Sequence, residues 1–149
     1  IEKMKGLTTG RFITLYALIR QLAGLFGIRL SAQPQFVRPI VNPMAQAAAN
    51  ARYGKISEAD EEIIKAKSAA NENFANFFAE NTFAASAGVL LISGTLTSLG
   101  YEVQATSIVL VALIIAGISF VLIAIDNFLF DLKMDRKYGK KSSKGGQKS

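Results

Sequence analysis

Cysteine and histidine are both absent from the 149 residues. Without cysteine there are no disulfides and no thiolate metal sites. Without histidine the chain lacks the commonest general base, the Ser-His and Cys-His nucleophile pairs, and the usual zinc ligand. Phosphate loops are missing too. Neither "GKISEAD" nor the glycines at 24 and 27 fit GxxxxGK followed by Ser or Thr, or a GxGxxG after a strand. No catalytic constellation is visible, so no enzyme is expected. Proline occurs three times, all within residues 31–45. Acidic residues are missing from residues 12–49, which carry Arg20, Arg29 and Arg38.

Charge is absent from two long stretches. Val103 to Ile125, "VQATSIVLVALIIAGISFVLIAI", is 23 uncharged residues. A transmembrane helix needs about 20 predominantly apolar residues, and soluble helices seldom lack a polar face. Asn81 to Leu99 adds 19 uncharged residues rich in Ala, Ser, Gly and Thr. Such small residues let membrane helices approach closely. With "GYE" at 100–102 as a turn, the pattern predicts transmembrane helices over 73–99 and 103–125.

What is present in quantity is hydrophobic side chain, half of the residues, and the mean hydropathy is positive at +0.29. The net charge of +6 is concentrated late: residues 126–149 carry seven Lys/Arg against three Asp. Positive residues beside a membrane segment favour the cytoplasmic side, so the C-terminus is expected inside. Residues 139–149 read as a disordered basic tail. With no aromatic interleaving and no companion domain, the tail suits anionic lipid rather than nucleic acid. Residues 52–72 are densely charged with both signs and form a cytoplasmic segment. In it "SEADEEIIKAK" starts a helix with Ser57 as cap and Glu61 facing Lys65. The chain opens "IEKMKGLTTG" without an initiator methionine or a visible signal peptide, which suggests a fragment whose upstream helices are missing.

Residues 12–30 are long enough to enter the bilayer, and Lys3, Lys5 and Arg11 place their start in the cytoplasm. Residues 52–72 are cytoplasmic as well. The return arm between them, 36–51, is broken by Pro39 and Pro43. At 1.5 Å per residue it covers roughly 24 Å, short of a ~30 Å hydrocarbon core. Residues 10–51 are therefore expected to form a re-entrant hairpin with its tip at "SAQPQ", 31–35. Non-helical backbone at that depth survives when buried in protein or lining a wet cavity, as in transporter substrate sites. The plainer alternative is a surface amphipathic helix followed by a loop. The fold class is thus an all-α membrane protein: a re-entrant helical hairpin plus two transmembrane helices.

The polar residues in these segments are the functional candidates. Arg20 lies within an apolar stretch, and intramembrane ionisable residues are functional by default. Arg38 follows the tip, beside Ser31, Gln33 and Gln35. Two guanidiniums with amide donors can grip a carboxylate bidentately. The structural alternative pairs Arg20 with Glu80 or with an acid on another chain. In "NENFANFFAENTF", Glu72, Asn76 and Glu80 share a helical stripe with Asn73 beside it, and Asn81 follows. Glu80 could carry a proton, or Asn73, Asn76, Glu80 and Asn81 could form an oxygen-lined cation site. The alternative is capping and interhelical hydrogen bonding. Phe74, Phe77 and Phe78 read as packing.

Three stretches, "RQL", "PQFVRP" with "PMA" after it, and "NENFANFFAEN", sit within a likeness covering nearly all of residues 8–138. In them the chain resembles the bacterial membrane family called domain of unknown function nine-six-nine. The family often reads Gly-Gly-His before Pro-Gln. Here Ser31, Ala32 and Gln33 stand there, so no role of that histidine transfers. The resemblance implies a multi-pass inner-membrane protein encoded beside a second membrane subunit of the family numbered nine-seven-nine. The pair is similar to two halves of an ion-transporter-superfamily carrier. That implies Na⁺ or H⁺ as coupling ion, a small organic anion as substrate, and 5-oxoproline as one candidate. The expected function is a subunit of a cation-coupled secondary transporter. The alternatives are a structural or assembly subunit with no substrate site of its own, and a channel.

Overall fold

The computed structural model describes residues 7–28 and 37–145, with side chains as far as residue 139. Among these residues every regular element is helical: α1 (Thr9–Leu25), a π-helical turn (Val37–Val41), α2 (Asn42–Tyr53), α3 (Glu58–Glu80), α4 (Ala87–Ser98) and α5 (Ala105–Gly145). The expected hairpin tip at 31–35, and with it Ser31, Gln33 and Gln35, lies outside the described residues.

Local chemistry sets the helix starts. The Thr8 hydroxyl caps α1 by accepting from the Arg11 N–H at 3.3 Å. α1 has no acid in its own first turn. Asp131 of α5 supplies one from outside, accepting from the Gly10 N–H at 2.8 Å and from the Thr8 hydroxyl. A carboxylate there complements the positive end of the helix. α2 begins with Pro43 in its first turn, where a missing N–H costs nothing. α3 starts as the sequence predicts, with Ser57 accepting from the Asp60 N–H at 3.3 Å and three acids in the first turn. Lys65 bonds Glu62, at 3.2 Å, rather than the expected Glu61.

Residue pairings give the helix directions. Arg20 meets Glu72 and Gly24 meets Ala79, so α1 and α3 run parallel. Asn127 meets Asn71 and Lys137 meets Asp60, so α5 runs against both. α2 closes one end with an alanine face, Ala45, Ala48 and Ala49, all fully buried. Phe130, Met134 and Tyr138, successive i,i+4 positions of α5, pack there against Ile13, Ile56 and Ile64. Further along, the interior narrows to Ala17, Ala75 and Ile123.

α5 therefore has two halves. From Phe130 onward it packs in the core. Its first 20 or so residues are apolar all round, and Leu110, Ile114, Ile118 and Val121 are all more than half exposed. Among the described residues it is the one helix long and apolar enough to cross a membrane, and only 6% of its most apolar stretch is buried. The core helix of a soluble protein would be covered.

Three expectations need correction. Residues 73–99 are not one helix. α3 ends at Glu80 and α4 starts at Ala87, because the linking side chains satisfy the helix ends. Asn81 Nδ2 donates to the Phe77 carbonyl at 2.8 Å, Thr82 Oγ1 to the Ala79 carbonyl at 2.7 Å, and Ser86 Oγ accepts from the Val89 N–H at 3.3 Å. α4 has 12 residues, about 18 Å of helix, too short to cross a ~30 Å core. Secondly, no boundary falls at residue 73, since α3 runs unbroken from the charged segment into the polar stripe. Thirdly, α5 continues to Gly145, through the first part of the expected disordered tail. Its polar residues pair with α2 and α3 as far as Tyr138, which anchors the helix up to the start of that tail.

Candidate functional site

The α1–α3 crossing is built on small residues. A Cβ added at Gly24 would overlap Ala79 Cβ and lie 2.8 Å from Ala79 Cα. This close approach brings the Arg20 face of α1 onto the Glu72 stripe of α3. Arg20 Nε donates to Glu72 Oε1 at 3.0 Å, with side chains 4% and 2% exposed. The Tyr16 hydroxyl donates to Glu72 Oε2, and Arg20 Nη2 donates to Asn76 Oδ1. Asn76 Nδ2 in turn donates to Glu80 Oε1 at 3.0 Å. The result is a chain of hydrogen bonds, Tyr16–Glu72–Arg20–Asn76–Glu80, running from the interior toward the α3–α4 break.

It ends in a cavity of about 310 Å³. Arg20, Asn76, Glu80 and Asn81 line it, with the first turn of α4 at Ala87 and Gly88 opposite. The N-terminus of a helix carries partial positive charge, so the cavity holds donors and acceptors of both signs. Its volume lies at the lower end of those of small-molecule sites.

Of the residues singled out from the sequence, the structure brings together Arg20, Asn76, Glu80 and Asn81. Asn73 is exposed and does not line the cavity. Arg38 is exposed on the π-helical turn, also away from the cavity lining. The structural alternative, which paired Arg20 with Glu80 or an acid on another chain, is corrected to an Arg20–Glu72 pair. Glu72 lies eight positions earlier on the same stripe, and α1 crosses α3 at that height. Tyr16 was missed in the sequence. The signal available was its i,i+4 spacing to Arg20, matching Glu72 to Asn76 on the facing helix.

A family described as Protein of unknown function (DUF969) matches residues 1–135. The chain belongs to this family. No curated protein and no solved structure matches it.

Two further polar clusters went unread in the sequence. Asn127, fully buried, donates to Thr14 Oγ1 at 3.0 Å and to Asn71 Oδ1 at 2.8 Å, tying three helices together. The other fastens α5 around Asp135, Lys137 and Tyr138. Asp60 accepts from Lys137 at 2.6 Å, from Ser57 Oγ at 2.6 Å and from the Tyr138 hydroxyl. Asp135 accepts from Arg52 at 3.0 Å and from the Tyr53 hydroxyl at 2.7 Å. Burial alone would raise both carboxyls. The bonds from Lys137, Ser57 and Tyr138 outweigh it at Asp60, and those from Tyr53 and Arg52 at Asp135, so both sit below the ordinary value of 3.8.

Beside Arg20, Gln21 is buried and its Nε2 has no hydrogen-bond partner among the described residues. It borders a groove of about 220 Å³ with Leu18, Thr82, Ala116 and Gly117.

Proposed function

We propose that the chain is one subunit of a two-component secondary transporter for a small organic anion, working in the bacterial inner membrane and driven by a coupled cation. 5-Oxoproline is the substrate candidate that the family resemblance adds. The observation carrying this reading is the convergence of a buried arginine, two amides and a carboxylate on a small cavity at a helix break, beside an apolar helix of spanning length. Broken helices whose ends meet near the midplane are how secondary carriers build substrate and ion sites.

In this reading Arg20 contacts the substrate carboxylate, and the first-turn amides of α4 add positive potential. Residues 10–51 enter the bilayer and return, and the C-terminus is cytoplasmic. The partner is a second multi-pass subunit. The groove at Gln21 supports a partner of that kind: an unpaired amide donor in apolar surroundings is costly, lipid tails offer no acceptor, and small residues at Ala116 and Gly117 admit a close helix.

One observation favours the scaffold reading instead. Arg20 is already neutralised by Glu72, as a structural pair would be. The readings separate in vesicles holding the full chain with its partner subunit. A carrier gives saturable, cation-driven uptake of labelled carboxylates. A channel gives flux without saturation. An assembled complex that takes up no carboxylate leaves the scaffold.

A further inference from the structure

The neutralised arginine raises a sharper question about the same site: which ion is coupled, and where it binds. This inference rests on the carrier reading above. Asn76 is poorly placed as a Na⁺ ligand. Its amide oxygen accepts from the Arg20 guanidinium, and its Nδ2 is held by Glu80. A metal cation at that oxygen would sit against a fixed positive charge. The Asn76 amide therefore serves the guanidinium rather than a cation.

Glu72 is differently placed. It is 2% exposed, and its two oxygens take Arg20 on one side and Tyr16 on the other. The charged groups on neighbouring elements are turned elsewhere. On α5, Asp126 pairs with Lys67. On α2, Arg52 pairs with Asp135. Arg38 on the π-helical turn is exposed, and Glu80, two turns along α3, is joined to Asn76. Among the described residues Arg20 is thus the positive charge that pairs with Glu72, and Arg20 also lines the cavity. A carboxylate entering the cavity competes for the same guanidinium. One buried cation does not balance two buried carboxylates, and the displaced one is neutralised by a proton.

We infer that the coupled cation is a proton, that Glu72 receives it, and that anion and proton bind together because the anion takes Arg20 from Glu72. Arg20 contacts substrate, and Glu72 holds Arg20 until substrate arrives. One proton enters per anion, so the loaded site carries the same net charge as the empty one.

The test is calorimetric binding of 5-oxoproline to the purified complex of full chain and partner subunit, repeated in buffers of different ionisation enthalpy and at several pH values. The expected result is one proton taken up per anion and an affinity that rises tenfold for each unit fall in pH, as one-proton linkage requires. Glu72→Gln should bind without proton uptake and with a flat pH profile. Gly94→Ala, whose added Cβ meets nothing and which lies outside the cavity lining, should retain one proton per anion, and helical circular dichroism checks that Glu72→Gln is folded. Binding by the wild type with no proton uptake, or affinity set by Na⁺ concentration, overturns the inference and leaves the carrier reading standing. Absence of 5-oxoproline binding by a folded wild-type complex overturns the inference for this anion, and silence toward every other carboxylate fells the carrier reading as well.

Discussion

Gly24→Ala is a single-methyl test of the crossing that creates the site. In an open helix this change stabilises by up to about 1 kcal/mol, since Gly gives up more backbone freedom than Ala. Here the new Cβ would overlap Ala79 Cβ and stand 2.8 and 2.9 Å from Ala79 Cα and C. Carbon pairs prefer roughly 3.5–4.0 Å. Two of these three neighbours are backbone, so no rotamer change relieves the overlap and α1 must move away from α3. Overpacking of this kind costs about 1–3 kcal/mol, which outweighs the propensity gain and leaves a net loss of up to about 2 kcal/mol. The natural control is Gly94→Ala in α4, where an added Cβ meets nothing within 4 Å. It should be neutral or slightly stabilising. Thermal unfolding of both variants in the same detergent, followed by helical circular dichroism, reads the difference. A Gly24→Ala protein as stable as Gly94→Ala would refute the crossing geometry, and with it the placement of Arg20 on Glu72.

Four other outcomes follow from the geometry. Asp60 and Asp135 have carboxyls held below their ordinary value, so their contribution is complete above about pH 4 and is lost as pH falls through the lowered values. Acid titration of helicity should show this limb, and Asp60→Asn with Asp135→Asn should shrink it. Asn127→Ala leaves Thr14 and Asn71 short of a buried partner and should cost about 1–3 kcal/mol in the same melts. In vesicle uptake, Arg20→Lys should weaken transport about ten- to a hundred-fold, because an ammonium cannot copy the planar fork. Arg38→Lys, exposed and outside the cavity, should stay near wild type, and the reverse ranking would return the substrate to the hairpin tip. A cysteine at Ser142 should react with impermeant reagent only from the cytoplasmic side. Labelling from outside at both Ala32→Cys and Ala51→Cys, the latter at an exposed position, would refute the re-entrant hairpin.

Much of the architecture was legible because local signals were strong. The uncharged run ending at Ile125, the Ser57 cap with its acids, and the Glu72–Asn76–Glu80 stripe each rest on near-neighbour chemistry. The break at 81–86 was not legible, because Asn, Thr and Ser also occur inside membrane helices. Whether their side chains end a helix depends on which carbonyls they reach. The partner of Arg20 was ambiguous for a different reason. Three positions of one stripe could each receive it, and only the height of the Gly24–Ala79 contact chooses Glu72. Arg38 stood out by composition, as a charge among prolines. Whether such a charge faces a cavity depends on backbone direction, which its neighbours in sequence do not fix.

α5 is one unbroken beam. Its 41 residues make about 60 Å of helix without a proline or a π-bulge. The Asp60 and Asp135 clusters hold it near one end, and the apolar run before Ile123 is largely exposed apart from Ala116. From Asp131 to Ala105 is roughly 39 Å of lever at 1.5 Å per residue. A tilt of about 10° at the anchored end would swing the far tip by roughly 7 Å on the same rise. The beam has no joint to absorb such a swing, and the Ser93–Val103 bond ties α4 to its tip. Any rocking of α5 is therefore delivered to the six-residue corner at 81–86, where the cavity opens.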